Sequence, residues 1–465
     1  MFLNIDKQKK GKMLALDNRG LSVTYGEMSN VILQMGELMQ KKTVAFILCD
    51  NSIGALAAYI SCVENKVVPL LLNSEIDKSL LMNMLRIYDP AYIWQSSEKD
   101  RIKHDIEYVC SIKNFTLYKT GSKPYPLNKE LELLLTTSGS TGSPKLVRYK
   151  RGNLEANAKN VALAFGWTEN ERPLCDLAMN YTMGLNVINT HIYVGATVCL
   201  TNDNIMTAEY WDFIKREEIT NITNVPFGYE LMLKLRFTRM NLPHLKTLAE
   251  GGGRLPDKTF KLLANYAKDT GRRFVATFGT TETSARMTYL PPEFACEKIG
   301  SIGKAIPQGK LFLLDDDGQE IITPGVEGEL AYSGPNVTMG YALNKEDLDK
   351  ADEFCGVYHT GDIAMFDEDG FYYIVGRKSR FLKLLSYRVS LDQCERLIRD
   401  EFGIDCACTG NDQQMKIFLT ESEATEQVVS FISEKLGIYR SMFAAVVVDS
   451  IPKNESGKIR YNLLA

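Results

Sequence analysis

A chain of 465 residues is too long for one ordinary core, and at ~150 residues per domain it predicts two or three structural units. Hydrophobic residues make up 45% and charged residues 24%, a balance that excludes disordered, collagenous and low-complexity classes. A formal net charge of −4 without a long Lys/Arg block excludes a nucleic-acid binder working through a basic face, but leaves a free nucleotide open as substrate.

The first eleven residues are polar and Lys-rich with no apolar segment behind them, unlike a secretory signal. Residues 43–49 then read as a strand, 54–64 as a helix and 67–72 as a strand. The apolar window 55–72 is broken by Glu64, Asn65 and Lys66, so no membrane span is expected. The same βα rhythm returns at 131–135, Asn153–Phe165, 197–200, 220–225 and 274–278, which implies parallel sheets layered with helices. From Lys310 the strands shorten and turn signals multiply, predicting a more antiparallel, β-rich subdomain. Beyond Arg377 a helix at 392–401, a strand at 415–419, a helix at Thr425–Leu436 and a strand at 444–448 suffice for a small α+β domain of the split βαβ type. The fold class is therefore α/β, with a large domain over 1–377 and a small one over 378–465. The ten cysteines, among them Cys49, Cys62, Cys175, Cys199 and Cys355, are irregularly placed and read as buried free thiols in a reducing, cytoplasmic compartment. Cys406 and Cys408 alone make a poor zinc site.

Four segments carry chemistry. Thr136-Thr137-Ser138-Gly139-Ser140-Thr141-Gly142-Ser143-Pro144-Lys145 follows an apolar strand directly. Its glycines and hydroxyls can aim N–H and O–H donors at one point, and Lys145 adds positive charge, which suits a polyphosphate. It is not a Walker A loop, because the lysine follows Pro144. A flexible Ser/Gly linker is the alternative. Phe278-Gly279-Thr280-Thr281-Glu282-Thr283 also follows a strand: Phe278 can stack on a base, Thr281 can donate to a phosphate, and Glu282 is a hard oxygen ligand for a nucleotide-bound Mg²⁺. Taken singly it also makes an ordinary capped helix start. Asp362 and Arg377, across a turn at Asp369-Gly370, can face one ribose, the carboxylate accepting from a diol; an Asp that merely closes a turn is the other reading. Lys458 lies on a polar, glycine-containing loop near the C-terminus, where a lysine is usually just solvated.

In order and spacing these segments resemble the adenylate-forming superfamily: acyl-CoA synthetases, non-ribosomal-peptide adenylation domains and luciferases. Gly251-Gly252-Gly253-Arg254-Leu255-Pro256 is similar to the family's glycine segment lining the adenine pocket, and Gly328-Glu329-Leu330 with residues 334–341 to its β-rich subdomain. The resemblance implies an adenylating domain over 1–377 and a mobile C-terminal domain over 378–465 carrying the catalytic lysine. It puts Thr137, Ser138, Gly139, Ser140, Thr141, Gly142 and Lys145 on the ATP phosphates, and Phe278 with Gly279 and Thr280 at the adenine end. Thr281 then meets the α-phosphate, Glu282 the Mg²⁺, Asp362 and Arg377 the ribose, and Lys458 bridges α-phosphate and attacking carboxylate. It also implies a hinge within 376–395, where Lys383, Arg388 and Glu395 match, whereas Ser379, Arg380 and Ser386 depart from the pattern. A side chain at Ser386 would narrow a pantetheine channel. Tyr181 stands where amino-acid-activating members carry Asp and many acyl-CoA synthetases His. With Met183, Gly184, Phe227, Gly228 and Tyr229 it suggests a partly aromatic acyl pocket, or equally core aromatics under the sheet.

The function expected is ATP- and Mg²⁺-dependent activation of a small carboxylic acid, followed by transfer to CoA or to the phosphopantetheine of an acyl carrier protein. A stand-alone amino-acid adenylating enzyme and a catalytically silent nucleotide-binding protein are the alternatives.

Overall fold

The computed structural model describes residues 1–102, 105–136, 145–385, 387–453 and 457–464. The expectations for Thr137, Ser138, Gly139, Ser140, Thr141, Gly142 and Ser386 lie outside the described residues. The chain divides into two compact units, Met1–Lys310 with Ser333–Tyr358, and Leu311–Tyr332 with His359–Ala465. The expected boundary after residue 377 falls inside the second.

Two large sheets build the first unit. Val44–Cys49 is buried at every position and pairs in parallel with Val68–Asn73 and Tyr92–Ser96. An uninterrupted apolar strand of this kind belongs where both faces are covered by helices. Val68–Asn73 pairs in parallel with Leu131–Thr136, which turns antiparallel onto Leu146–Lys150 and so flanks the hydroxyl-rich loop. In the second sheet Asn221–Asn224, Thr247–Glu250 and Arg273–Phe278 run parallel, the first two ending level and the third continuing to Phe278. Helices Ile53–Glu64 and Thr182–Tyr193 fill the core with side chains of both sheets. Ser52 caps the first through its side chain, and Thr24 forms a capping box with Glu27 at the start of Tyr25–Leu38.

The segment at 334–341, matched in sequence to the β-rich subdomain, instead belongs to the first unit: Tyr341–Ala342 adds an edge strand to Leu146–Lys150. The fully buried Arg148 fixes it, donating from Nη2 to the Met339 carbonyl at 3.0 Å and to Glu353 Oε2 at 2.7 Å.

The second unit contains a five-stranded sheet that includes Val357–Phe366 and Tyr372–Arg377, paired antiparallel. It also holds a three-stranded sheet in which Gln414–Leu419 pairs antiparallel with Cys406–Asn411 and parallel with Phe443–Val447. Helix Thr425–Leu436 makes the parallel crossover, and Leu391–Phe402 packs beside it. The α/β class with a β-rich portion and a small α+β portion is as the sequence predicts.

Candidate active site

In the first unit, Arg273–Phe278 ends in a turn whose backbone is strained and heavily tied. Ser284 and Ala285 have φ of 59° and 85°, left-handed values that a side chain disfavours and that persist only where surroundings over-determine them. The ties are on either side. The Tyr149 hydroxyl donates to the Thr281 carbonyl at 2.8 Å, the Thr338 N–H to the Glu282 carbonyl at 3.0 Å, and Asn336 Nδ2 to the Thr283 carbonyl at 2.7 Å. At Gly279 a side chain would run into the Ala285 carbonyl, so the turn needs glycine there. The Thr280 backbone N–H donates to Thr283 Oγ1 at 3.1 Å, which ties the start of the turn to its end. The result presents Glu282, half-buried, with Oε1 accepting from the Tyr341 hydroxyl at 2.8 Å. Lys145 Nζ lies 3.4 Å from the centroid of the same Tyr341 ring. Burial and the Glu282 charge raise the Tyr341 phenol far above its ordinary range, so it remains a donor. Phe278 is half-buried, Gly253 exposed.

In the second unit, Asp362 lies opposite Arg377 in the antiparallel register. Arg377 Nε is 2.8 Å from Asp362 Oδ1, while Asp362 Oδ2 is buried with no partner among the described residues. Thr360 orients the strand, donating to the Leu330 carbonyl at 2.8 Å and accepting from the Asp362 N–H at 3.0 Å. Burial lifts the Asp362 carboxyl to about 6, partly offset by Arg377 and, more weakly, by Lys458. Lys458 itself is exposed. Of the hinge positions, Ser379 is exposed in the short helix Lys378–Arg380, and Lys383 is exposed on Phe381–Leu384. Arg380, by contrast, is held by the carboxylates of Asp392 and Glu395 and lies 3.7 Å from the Tyr461 ring centroid.

A family model for AMP-binding enzymes matches residues 4–342. The chain belongs to the AMP-binding enzyme family. It is an enzyme of the adenylate-forming superfamily, an ATP-dependent, AMP-forming acid–thiol ligase. Among its relatives, 2-succinylbenzoate–CoA ligase of Bacillus subtilis (strain 168) is 26% identical over 97% of this chain and 94% of its own. Oxalate–CoA ligase of Arabidopsis thaliana is 27% identical over 72% of this chain and 66% of its own. The fold matches O-succinylbenzoate coenzyme A synthetase from Bacillus subtilis in complex with AMP, with a TM-score of 0.80 at 22% identity over 99% of this chain and 97% of that one. It also matches ATP-bound MatB from Rhodopseudomonas palustris, with a TM-score of 0.78 at 18% identity over 100% and 98% of the two chains.

The acyl-pocket candidates of this AMP-binding enzyme divide by burial. Tyr181 is half-buried and Phe227 is 44% exposed, whereas Met183, Gly228 and Tyr229 are buried. Tyr229 is a core residue, its hydroxyl donating to the Ala249 carbonyl at 2.9 Å. Gly184 is small because a side chain there would meet the carbonyls of Leu177 and Ala178 at 2.5 Å. Sequence reasoning passed over two groups: Tyr341, absorbed into a β-rich motif, and Glu250, a buried carboxyl at the end of Thr247–Glu250. The signal for the second was present, an acidic residue closing an apolar strand just before three glycines.

Proposed function

We propose that this enzyme activates a small-molecule carboxylic acid on Mg²⁺-ATP as acyl-AMP and then passes the acyl group to the thiol of coenzyme A. The acid's carboxylate attacks the α-phosphorus as the bond to pyrophosphate breaks; the CoA thiol then attacks the acyl carbonyl and AMP leaves. The observation that carries the reading is Asp362, a buried carboxyl with one oxygen on Arg377 and the other without a partner among the described residues, ready to accept from a ribose diol. Glu282 on its over-determined turn would hold the Mg²⁺, which neutralises phosphate charge; one carboxylate plus phosphates and water is how nucleotide-bound Mg²⁺ is usually held. Thr281 donates to the α-phosphate, Phe278 and Gly251–Gly253 face the adenine, and residues 137–142 with Lys145 take the β- and γ-phosphates. Lys458 stabilises the charge that develops as carboxylate and α-phosphate approach.

Coenzyme A is favoured as acceptor by the names of the relatives, 2-succinylbenzoate–CoA and oxalate–CoA ligases. A carrier protein's phosphopantetheine offers the same thiol and serves as the control acceptor. The ten free cysteines, seven of them buried, favour the reducing cytoplasm, and among the described residues no helix is long and apolar enough to cross a membrane.

The test is acid-dependent pyrophosphate exchange across a panel of acids, then CoA on the best one. Exchange with no acid, or exchange whose ATP dependence is unaltered by Asp362→Ala, overturns the reading.

A further inference from the structure

Glu250 ends the strand Thr247–Glu250 and pairs in register with Asn224 and Ala276, so it lies at the carboxyl edge of the parallel strands, level with the end of Asn221–Asn224 and beside the last residues of Arg273–Phe278. Ligands of open α/β sheets bind at that edge. The residue is 3% exposed, and its Oε1 is buried without a hydrogen-bond partner among the described residues. Burial pushes its carboxyl well above the usual carboxylate range, with no cation among the described residues offsetting it. A carboxyl in this state contributes nothing to the fold that a leucine would not, and it costs desolvation.

Its surroundings are those of the acyl-pocket candidates. The next residues, buried Gly251 and half-buried Gly252, have no room for side chains: a Cβ at Gly251 would meet Thr277 Oγ1 and lie 2.6 Å from Met183 Cε, and one at Gly252, where φ is 86°, would lie 2.6 Å from the Tyr181 hydroxyl oxygen. Burial and then the Glu250 charge raise the Tyr181 phenol, so the carboxyl is within electrostatic reach of that hydroxyl. A buried acceptor without a donor therefore lies beside the half-buried tyrosine of the pocket.

We infer that Glu250 is the specificity residue of the acyl pocket and selects a carboxylic acid carrying a hydrogen-bond donor, an amine or a hydroxyl, at the end away from the reacting carboxylate. The inference rests on the adenylation reading above. Such a donor completes a bond the protein leaves unmade. An unsubstituted acyl chain leaves the carboxyl unpaired, and a second carboxylate would have to shed its water against a buried group that offers it no cation. This separates the chain's acid from 2-succinylbenzoate and oxalate, both of which carry a second carboxylate.

The experiment compares acids of matched carbon skeleton whose far end is amino, hydroxy, methyl or carboxylate, in chains of three to eight carbons and on a benzoate ring. Pyrophosphate-exchange kcat/KM in the wild type is expected to be about 10²-fold higher for the donor-bearing acid than for its methyl and carboxylate counterparts, the discrimination a site built for a polar group achieves. Glu250→Leu should erase that preference while raising the melting temperature, and Glu250→Lys should turn it toward the dicarboxylate. A wild type that prefers the methyl or carboxylate acid, or a folded Glu250→Leu with unchanged preference, overturns the inference. If no acid supports exchange, the adenylation reading fails first, and thermal stabilisation by the same acids without ATP still decides: stabilisation by donor-bearing acids that is lost in Glu250→Leu supports the role, and none, or equal stabilisation of both proteins, overturns it.

Discussion

A residue placed for chemistry often carries a mark of it in its own environment, and Asp362 does. Its carboxyl lies at about 6, lifted by burial against the pull of Arg377. A folded-state pKa raised above the unfolded value of ~3.9 means that this group stabilises the fold fully below about pH 4, a contribution lost as pH rises through about 6. Function runs the other way, because a ribose diol needs the ionised acceptor. In the free enzyme kcat/KM for ATP is expected to fall as pH drops below about 6, and Asp362→Asn should show a raised ATP KM with that limb removed. A pH profile of ATP kcat/KM for both proteins checks it. Glu282 is oriented by Tyr341, so Tyr341→Phe should weaken the response to Mg²⁺ by about 5-fold, the worth of one ordinary hydrogen bond, while Glu282→Ala should abolish adenylation with the fold intact. Titrating Mg²⁺ at saturating ATP separates the two.

Among elements, the helix 3₁₀ turn Lys378–Arg380 and the helix Leu391–Phe402 are joined by one guanidinium. Arg380 Nη2 lies 2.5 Å from Glu395 Oε1, Glu395 Oε2 accepts from Tyr461 at 3.0 Å, and Glu395 is 2% exposed. Burial lowers the Arg380 pKa, but Glu395 and Asp392 outweigh it and the net shift is upward, as for a charge held by its partners. Arg380→Met would strand a buried carboxylate and is expected to cost about 3–5 kcal/mol, whereas adding Glu395→Leu should recover much of it. Urea unfolding of the single and double variants reads both. Elements with one strong period were legible in the sequence: the helices Asn153–Phe165 and Thr425–Leu436 have the expected ends, and 43–49 differs from Val44–Cys49 by a residue. Elements fixed by distant contacts were not. The polar-looking start folds as Phe2–Lys7 because its N–H groups reach Glu64 and Glu155, at 2.6 and 3.0 Å, and Leu3 enters the core. Tyr341 likewise cannot be assigned from its neighbours in sequence, since its place is set by strand pairing to Leu146–Lys150 and by the buried Arg148. Glu282 and Asp362 were named from motif alone, but nothing local in the sequence reveals the strained turn or the unpartnered oxygen that make them usable.

At the scale of the whole molecule, Lys458 is exposed on its loop in the second unit. Its work is needed only while two anions approach each other. If it stabilises charge between the carboxylate and the α-phosphate, Lys458→Ala should slow acyl-AMP formation by about 10²–10³-fold, the usual effect of losing one preorganised electrostatic donor. Thioester formation makes no such demand, since a neutral thioester carbonyl is built as AMP leaves. The same variant, given preformed acyl-AMP and CoA, is therefore expected to transfer at close to the wild-type rate. Lys383→Ala and a proline at Ser379, both on exposed positions of the segment the family resemblance marks as a hinge, should do the reverse, keeping adenylation and impairing transfer. Paired single-turnover rates for each variant, one from ATP and acid and one from preformed adenylate, decide the matter. Equal loss of both rates in Lys458→Ala would contradict a role confined to the first half-reaction, and normal rates in both would remove the lysine from the chemistry.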